Sequence, residues 1–193
     1  MIHSRRLALA CDVAGLRADL DAVAPSQWHA HFNTGYYDGD WSGVPLRAQP
    51  GIHVPLYADP TRTDFADTEA LRRCTSVPGL LASIPGRLES VRFLRLAAGS
   101  VIREHRDPGL FVEEGVFRLH VPVRTNPDVE LRVGGQLVRM AEGECWYVNF
   151  DLPHALVNRG ASDRVHLVVD GVVDDAVLEW FGLAATERVS ARP

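Results

Sequence analysis

Residues 164–170 read Arg164-Val165-His166-Leu167-Val168-Val169-Asp170, and an alternation of this kind is the mark of a strand with distinct faces. Val165, Leu167 and Val169 share one face, while Arg164, His166 and Val168 share the other. The same figure stands in residues 117–123, where Arg118 and His120 lie together and Leu119, Val121 and Val123 lie opposite. Working outward from these two, strands are expected over 91–97, 101–105, 116–123, 129–133, 136–140, 145–150, 155–158 and 164–169. Short strands divided by Gly, Pro, Asn and Asp argue for a mainly β chain closed into a barrel or jelly roll. Gly134-Gly135 between two of them is a hairpin turn.

The flanks read differently. Val13, Leu16, Leu20 and Val23 have helical spacing, so a packing helix is expected over 13–24, stopped by Pro25. Residues 28–41 are dense in aromatic side chains and histidine, and are expected to form a loop over the mouth of a pocket. Residues 41–55 suggest an edge strand containing Val44, Leu46 and Arg47. A helix is expected to begin near Asp67, where Asp67 and Thr68 can cap it, with Pro78 and Pro85 breaking the next stretch into short turns. A closing helix over 172–183 and a frayed tail over 184–193 complete the expectation. The 193 residues are sized for one domain: a helical and loop lead-in over 1–90, a core over 91–170, and a closing segment over 171–193.

Composition excludes several classes. With 46% hydrophobic and 23% charged residues the chain is neither disordered nor fibrous. A net charge of −5 gives no electrostatic reason to expect nucleic acid or an anionic membrane as partner. No apolar run is long enough to span a bilayer and no secretion signal is evident, so a cytoplasmic protein is expected. Cys11, Cys74 and Cys145 are far apart, which argues against a disulfide framework or a zinc knuckle. All 20 basic residues are Arg. Without Lys, pyridoxal phosphate chemistry, Schiff-base aldol chemistry and P-loop nucleotide hydrolysis are excluded.

The chemistry is expected around His105-Arg106-Asp107. On an extended strand, side chains at i and i+2 share a face, so an imidazole nitrogen and a carboxylate oxygen can aim at one point. The alternative for this triplet is a surface hydrogen-bonded pair at a strand end. His154, brought from another strand across the barrel, would complete a two-His, one-carboxylate triad that leaves one side of an octahedral metal open. The Arg-x-His strands add inward arginines, which suit a dicarboxylate held by paired hydrogen bonds.

Residues 102–170 resemble the aspartyl/asparaginyl β-hydroxylase family of iron(II) and 2-oxoglutarate dependent oxygenases, which includes microbial hydroxylases of free proline. The matching pieces are His105-Arg106-Asp107, Arg118-Leu119-His120, Thr125-Asn126, Gly143-Glu144-Cys145-Trp146, Pro153-His154, Val157-Asn158 and Arg164-Val165-His166-Leu167 with Asp170. Upstream, residues 41–51 resemble the family's entry to the core. Some members carry glycine in place of the acid; Asp107 places this chain nearer the three-ligand branch. The resemblance implies a double-stranded β-helix, the jelly roll of cupin-like barrels, with helices flanking both ends. It further implies Fe(II) on His105, Asp107 and His154, with 2-oxoglutarate as co-substrate and O2 as oxidant. The remote carboxylate of 2-oxoglutarate would pair with Arg164, Arg118 and His120 would contact carboxylates of co-substrate or substrate, and Arg47 would point toward the substrate. The implied reaction hydroxylates an amino acid, free, carrier-tethered or in a peptide, with release of succinate and CO2. Two other functions fit the same residues: a cupin-like metal-dependent isomerase or lyase, and a non-catalytic barrel that binds a small anion through Arg118 and Arg164.

Overall fold

Leu119, Val121 and Val123 of one Arg-x-His strand, and Val165, Leu167 and Val169 of the other, are buried together beneath a layer of helices. Their polar alternates turn the opposite way. This arises from the period-two pleat, which sends successive side chains to opposite faces. The computed structural model describes residues 2–183. Its strands are β1 (Ser4–Leu7), β2 (His29–Ala30), β3 (Tyr37–Asp38), β4 (Trp41–Ala48), β5 (Ala66–Asp67), β6 (Arg87–Leu96), β7 (Val101–His105), β8 (Val116–Arg124), β9 (Val129–Val133), β10 (Gln136–Val138), β11 (Cys145–Val148), β12 (His154–Asn158) and β13 (Arg164–Val172). The helices are α1 (Val13–Asp21), α2 (Glu69–Arg73), α3 (Val77–Ala82) and α4 (Asp175–Trp180).

The larger sheet runs β1-β11-β8-β13-β6-β4-β2, with β5 also on β4, and the smaller runs β10-β9-β12-β7-β3. From β6 onward the chain passes from one sheet to the other at each connection except the β9–β10 hairpin. That alternation is the double-stranded β-helix. One apolar cluster lies between the larger sheet and the helices and includes Leu16, Leu71, Leu80 and Leu178. A second, with Leu96 and Val148 from the larger sheet and Leu131 and Leu156 from the smaller, fills part of the barrel. The remaining interior holds the polar faces of β6, β8 and β13.

Gly134 and Gly135 have φ of +52° and +79°, so the expected hairpin turn has positive φ at both central positions, as a type I′ turn requires. At Gly171 a Cβ would meet the Phe117 ring at 2.4 Å, which fixes glycine where β13 pairs with β8.

Several boundaries differ from expectation. β1, not anticipated, extends the sheet beyond β11. β4 is not an edge strand, because it lies between β6 and the two-residue β2 and β5. Pro78 sits in the first turn of α3, where its missing N–H costs nothing, so it starts a helix instead of breaking one. β13 continues to Val172 and α4 begins only after the Asp174 cap, whose carboxylate accepts from Val177 N. The expected tail over 184–193 lies outside the described residues. Among the described residues no helix is long and apolar enough to cross a membrane.

Candidate metal centre and co-substrate pocket

β7 and β12 are antiparallel neighbours in the smaller sheet, and their register sets His154 opposite His105. The two rings lie 4.2 Å apart, centroid to centroid. The second histidine therefore comes from the adjacent strand and not from across the barrel, because facing residues of an antiparallel pair bring their Cβ atoms close without further packing. Asp107 lies just past the end of β7, where its N–H donates to the Phe150 carbonyl at 2.9 Å. Ligand atoms of His105, Asp107 and His154 all lie within 4.8 Å of one another.

The tautomers of both histidines are set by their neighbours. Nδ1 of His105 is 2.8 Å from the Arg103 carbonyl, and Nδ1 of His154 is 3.0 Å from the Leu152 carbonyl. A carbonyl only accepts, so each Nδ1 carries the proton and each Nε2 keeps its lone pair. Metal-binding histidines are oriented in this way by a partner on the other ring nitrogen. Burial lowers the pKa of His154, which favours the neutral, ligating form.

Arg118 on β8 organises the carboxylates. Its Nη1 donates to Asp107 Oδ2 at 2.7 Å, while Nε and Nη2 donate to Asp170 Oδ1 and Oδ2 at 2.7 and 2.9 Å. Asp107 Oδ1 is left facing His105 Nε2 at 3.9 Å. Arg92 on β6 joins the group through Nη1, which donates to Asp170 Oδ2 and Ser90 Oγ, both at 2.9 Å. Burial would raise the pKa of Asp170, but Arg118 and Arg92 overcome it and hold the carboxyl well below the usual range.

Arg164 on β13 is only 3% exposed. Burial pulls its pKa down to about 9, and no carboxylate among the described residues forms an ion pair with it. Its Nη2 donates to His166 Nδ1 at 2.8 Å, and its Nε is buried without a partner. Since arginine only donates, His166 Nδ1 is an acceptor. His120 Nδ1, 3.3 Å from the same atom, must then be the donor, which leaves His120 Nε2 as a bare lone pair, also buried without a partner. Burial first, then Arg164, keeps both imidazoles neutral.

All of the expected residues except Arg47 line one cavity of about 500 Å³, together with Arg92 and Asp170. Arg47 is elsewhere: its Nη1 bonds Asp67 at 2.5 Å, and it lines a separate surface cavity with Leu71 and Cys74. The aromatic stretch does reach the cavity, where His31 stacks on Trp41 at 3.5 Å and Tyr36 lies 4.6 Å from the His105 ring. Arg92 was missed by sequence reasoning. Its signal was the alternation Val91-Arg92-Phe93, which buries Val91 and Phe93 toward the helices and so turns Arg92 inward.

The donor set fits a divalent metal with open coordination positions, and the orphaned Arg164 Nε fits an incoming carboxylate. Fold and site together define a double-stranded β-helix with a candidate two-His, one-carboxylate metal site. Residues 10–173 match the model of the Aspartyl/Asparaginyl beta-hydroxylase family, and the chain belongs to that family. It is similar to L-proline cis-4-hydroxylase of Rhizobium meliloti (strain 1021), with 26% identity over 82% of this chain. The chain spans 57% of that relative's length. Among solved structures, an oxidoreductase of the 2OG-Fe(II) oxygenase family from Burkholderia pseudomallei shares the fold, with a TM-score of 0.55 and 12% identity, covering 83% of this chain and 78% of that one.

Proposed function

We propose that the protein is an Fe(II)- and 2-oxoglutarate-dependent hydroxylase of an amino acid or amino-acid-derived molecule, working as a single domain. The carrying observation is the placement of His105, Asp107 and His154 in one cavity with a buried arginine that has no counter-ion among the described residues. Nε2 of His105, Nε2 of His154 and Asp107 Oδ1 would hold the metal. Bound there with 2-oxoglutarate and O2, Fe(II) supplies the oxidation that yields succinate, CO2 and a hydroxylated product. Arg164 seats the remote carboxylate of 2-oxoglutarate through Nε, a pairing that stabilises both the buried cation and the incoming anion. Arg118 fixes the carboxylate of Asp107, and Arg92 offers a second cationic contact for a substrate carboxylate. Phe150, Leu131 and Leu156 give the cavity part of its apolar lining.

The relative's substrate, proline, supports a small amino-acid-like substrate. The three free cysteines suit a reducing cytoplasm. The deciding experiment is anaerobic addition of Fe(II) and then 2-oxoglutarate. A weak visible charge-transfer band supports the oxygenase; iron binding with no band on adding 2-oxoglutarate favours a cupin-like lyase.

A further inference from the structure

The charges that line the cavity do not balance. Arg92, Arg118 and Arg164 face only Asp107 and Asp170. A divalent ion and a dianionic co-substrate cancel each other, so one positive charge remains for the substrate to meet. Arg92 is the group placed to meet it. Its Nη1 is spent on Asp170 and Ser90, which leaves the rest of a buried guanidinium to the cavity it lines.

The acids offer nothing to a cationic group. Both oxygens of Asp170 accept from Arg118, and one accepts from Arg92 as well. Asp107 gives one oxygen to Arg118 and turns the other toward His105. A substrate ammonium would thus be enclosed among arginines with no free carboxylate, an arrangement that costs free energy.

The mouth is apolar. Among the described residues the large hydrophobic side chains left exposed are Phe32, Tyr36, Val54, Tyr57 and Leu137, and all but Leu137 lie on the two segments that border this cavity. Phe32 meets Tyr57 edge to face at 5.7 Å, closing one segment on the other. Leu56, next to Tyr57 in the chain, has φ of +67°, a left-handed conformation unfavourable for a bulky side chain, and it also lines the cavity. An exposed apolar rim around a charged interior fits a ligand with one anionic end and a greasy remainder.

We propose that the substrate is an N-acylated amino acid, a monoanion whose carboxylate sits on Arg92 and whose acyl chain leaves the cavity between Phe32, Leu56 and Tyr57. Acylation removes the ammonium that the cavity cannot neutralise, and supplies the apolar arm that the mouth can cover. The assignment rests on the oxygenase reading, since the charge count includes the metal and 2-oxoglutarate.

The test is calorimetric titration of Mn(II)-loaded, 2-oxoglutarate-saturated protein with leucine, N-acetyl-leucine, N-octanoyl-leucine and octanoate. N-acetyl-leucine is expected to bind at least about 10-fold tighter than leucine, and the octanoyl chain to add roughly a further 10-fold. Replacing Phe32→Ser and Tyr57→Ser together removes the octanoyl increment while 2-oxoglutarate affinity stays unchanged; both side chains are exposed, so the fold survives. Arg92→Met lowers the affinity of both acylated ligands. Leucine binding as tightly as its acyl derivatives, no gain with chain length, or octanoate matching N-octanoyl-leucine overturns the proposal while the oxygenase reading stands. Failure to bind Mn(II) and 2-oxoglutarate at all sinks both.

Discussion

Arg118 Nη1 donates to Asp107 Oδ2 at 2.7 Å, so the acid expected to hold the metal is itself held by an arginine from the opposite sheet. The bond leaves Oδ1 as the free oxygen and fixes the carboxylate plane. Partners of this kind typically contribute about 10- to 100-fold in metal affinity. Arg118→Met is therefore expected to weaken Fe(II) or Mn(II) binding by about that factor, read by metal titration. Asp107→Ala is expected to abolish succinate production. Normal turnover in the Asp107 variant would remove that residue from the centre.

Arg164 is a buried cation with an unused Nε. A hydrogen bond to a charged group contributes about 1.5–3 kcal/mol, or roughly 10- to 100-fold in affinity. Arg164→Ala should raise the 2-oxoglutarate concentration needed for half-maximal succinate formation by at least this factor, with Fe(II) affinity little changed. An unchanged 2-oxoglutarate requirement would mean that this arginine does not seat the co-substrate.

The period-two alternation in 117–123 and 164–170 was enough to read both strands and to set Arg118, His120, Arg164 and His166 on one face; that this face is covered by the smaller sheet and not by solvent came from the fold. β7 and β9 begin and end where the sequence placed them. Partnership was harder. Sequence spacing does not say which strand neighbours which, so the direct pairing of His154 with His105 had to come from the fold. Arg47 was expected to point toward the substrate and does not, because β5, only two residues long and without a periodicity to find, supplies the Asp67 that captures this arginine. Arg92 was hidden for the opposite reason: an arginine in a strand ordinarily faces water, and only the second sheet and its counter-ion Asp170 make an inward position tenable.

Four histidines have pKa values lowered first of all by burial: His31, pushed down to about 3, and His120, His154 and His166. A depressed group stays neutral in the fold while the unfolded chain takes up a proton below about pH 6.5. The resulting stability is present above pH 6.5 and is lost as the pH falls from there toward the folded values. For metal-free protein, each strongly depressed histidine is expected to cost about 1 kcal/mol between pH 6.5 and 5.5. Urea unfolding at pH 7.5, 6.5 and 5.5 measures the loss. A flat profile over that range would show these imidazoles to be solvated.

Asp19 provides a test of the scaffold away from the chemistry. It is 4% exposed on α1, and its carboxylate accepts from the backbone N–H groups of Thr75, Ser76 and Val77 at 2.7–2.8 Å. The contact ties α1 to the start of α3, where the first-turn N–H groups lack helical partners. Burial opposes ionisation there, but these donors prevail and lower the pKa of Asp19. Asp19→Ala strands the donors, and an unsatisfied buried group costs about 1–3 kcal/mol. A loss of roughly 3 kcal/mol or more in urea unfolding at pH 7 is therefore expected. Metal and 2-oxoglutarate affinity of the folded variant should match the parent, because Asp19 lies outside the cavity lining. A stability change below about 1 kcal/mol would show that water satisfies those amides and that the helix layer is held by its apolar contacts alone.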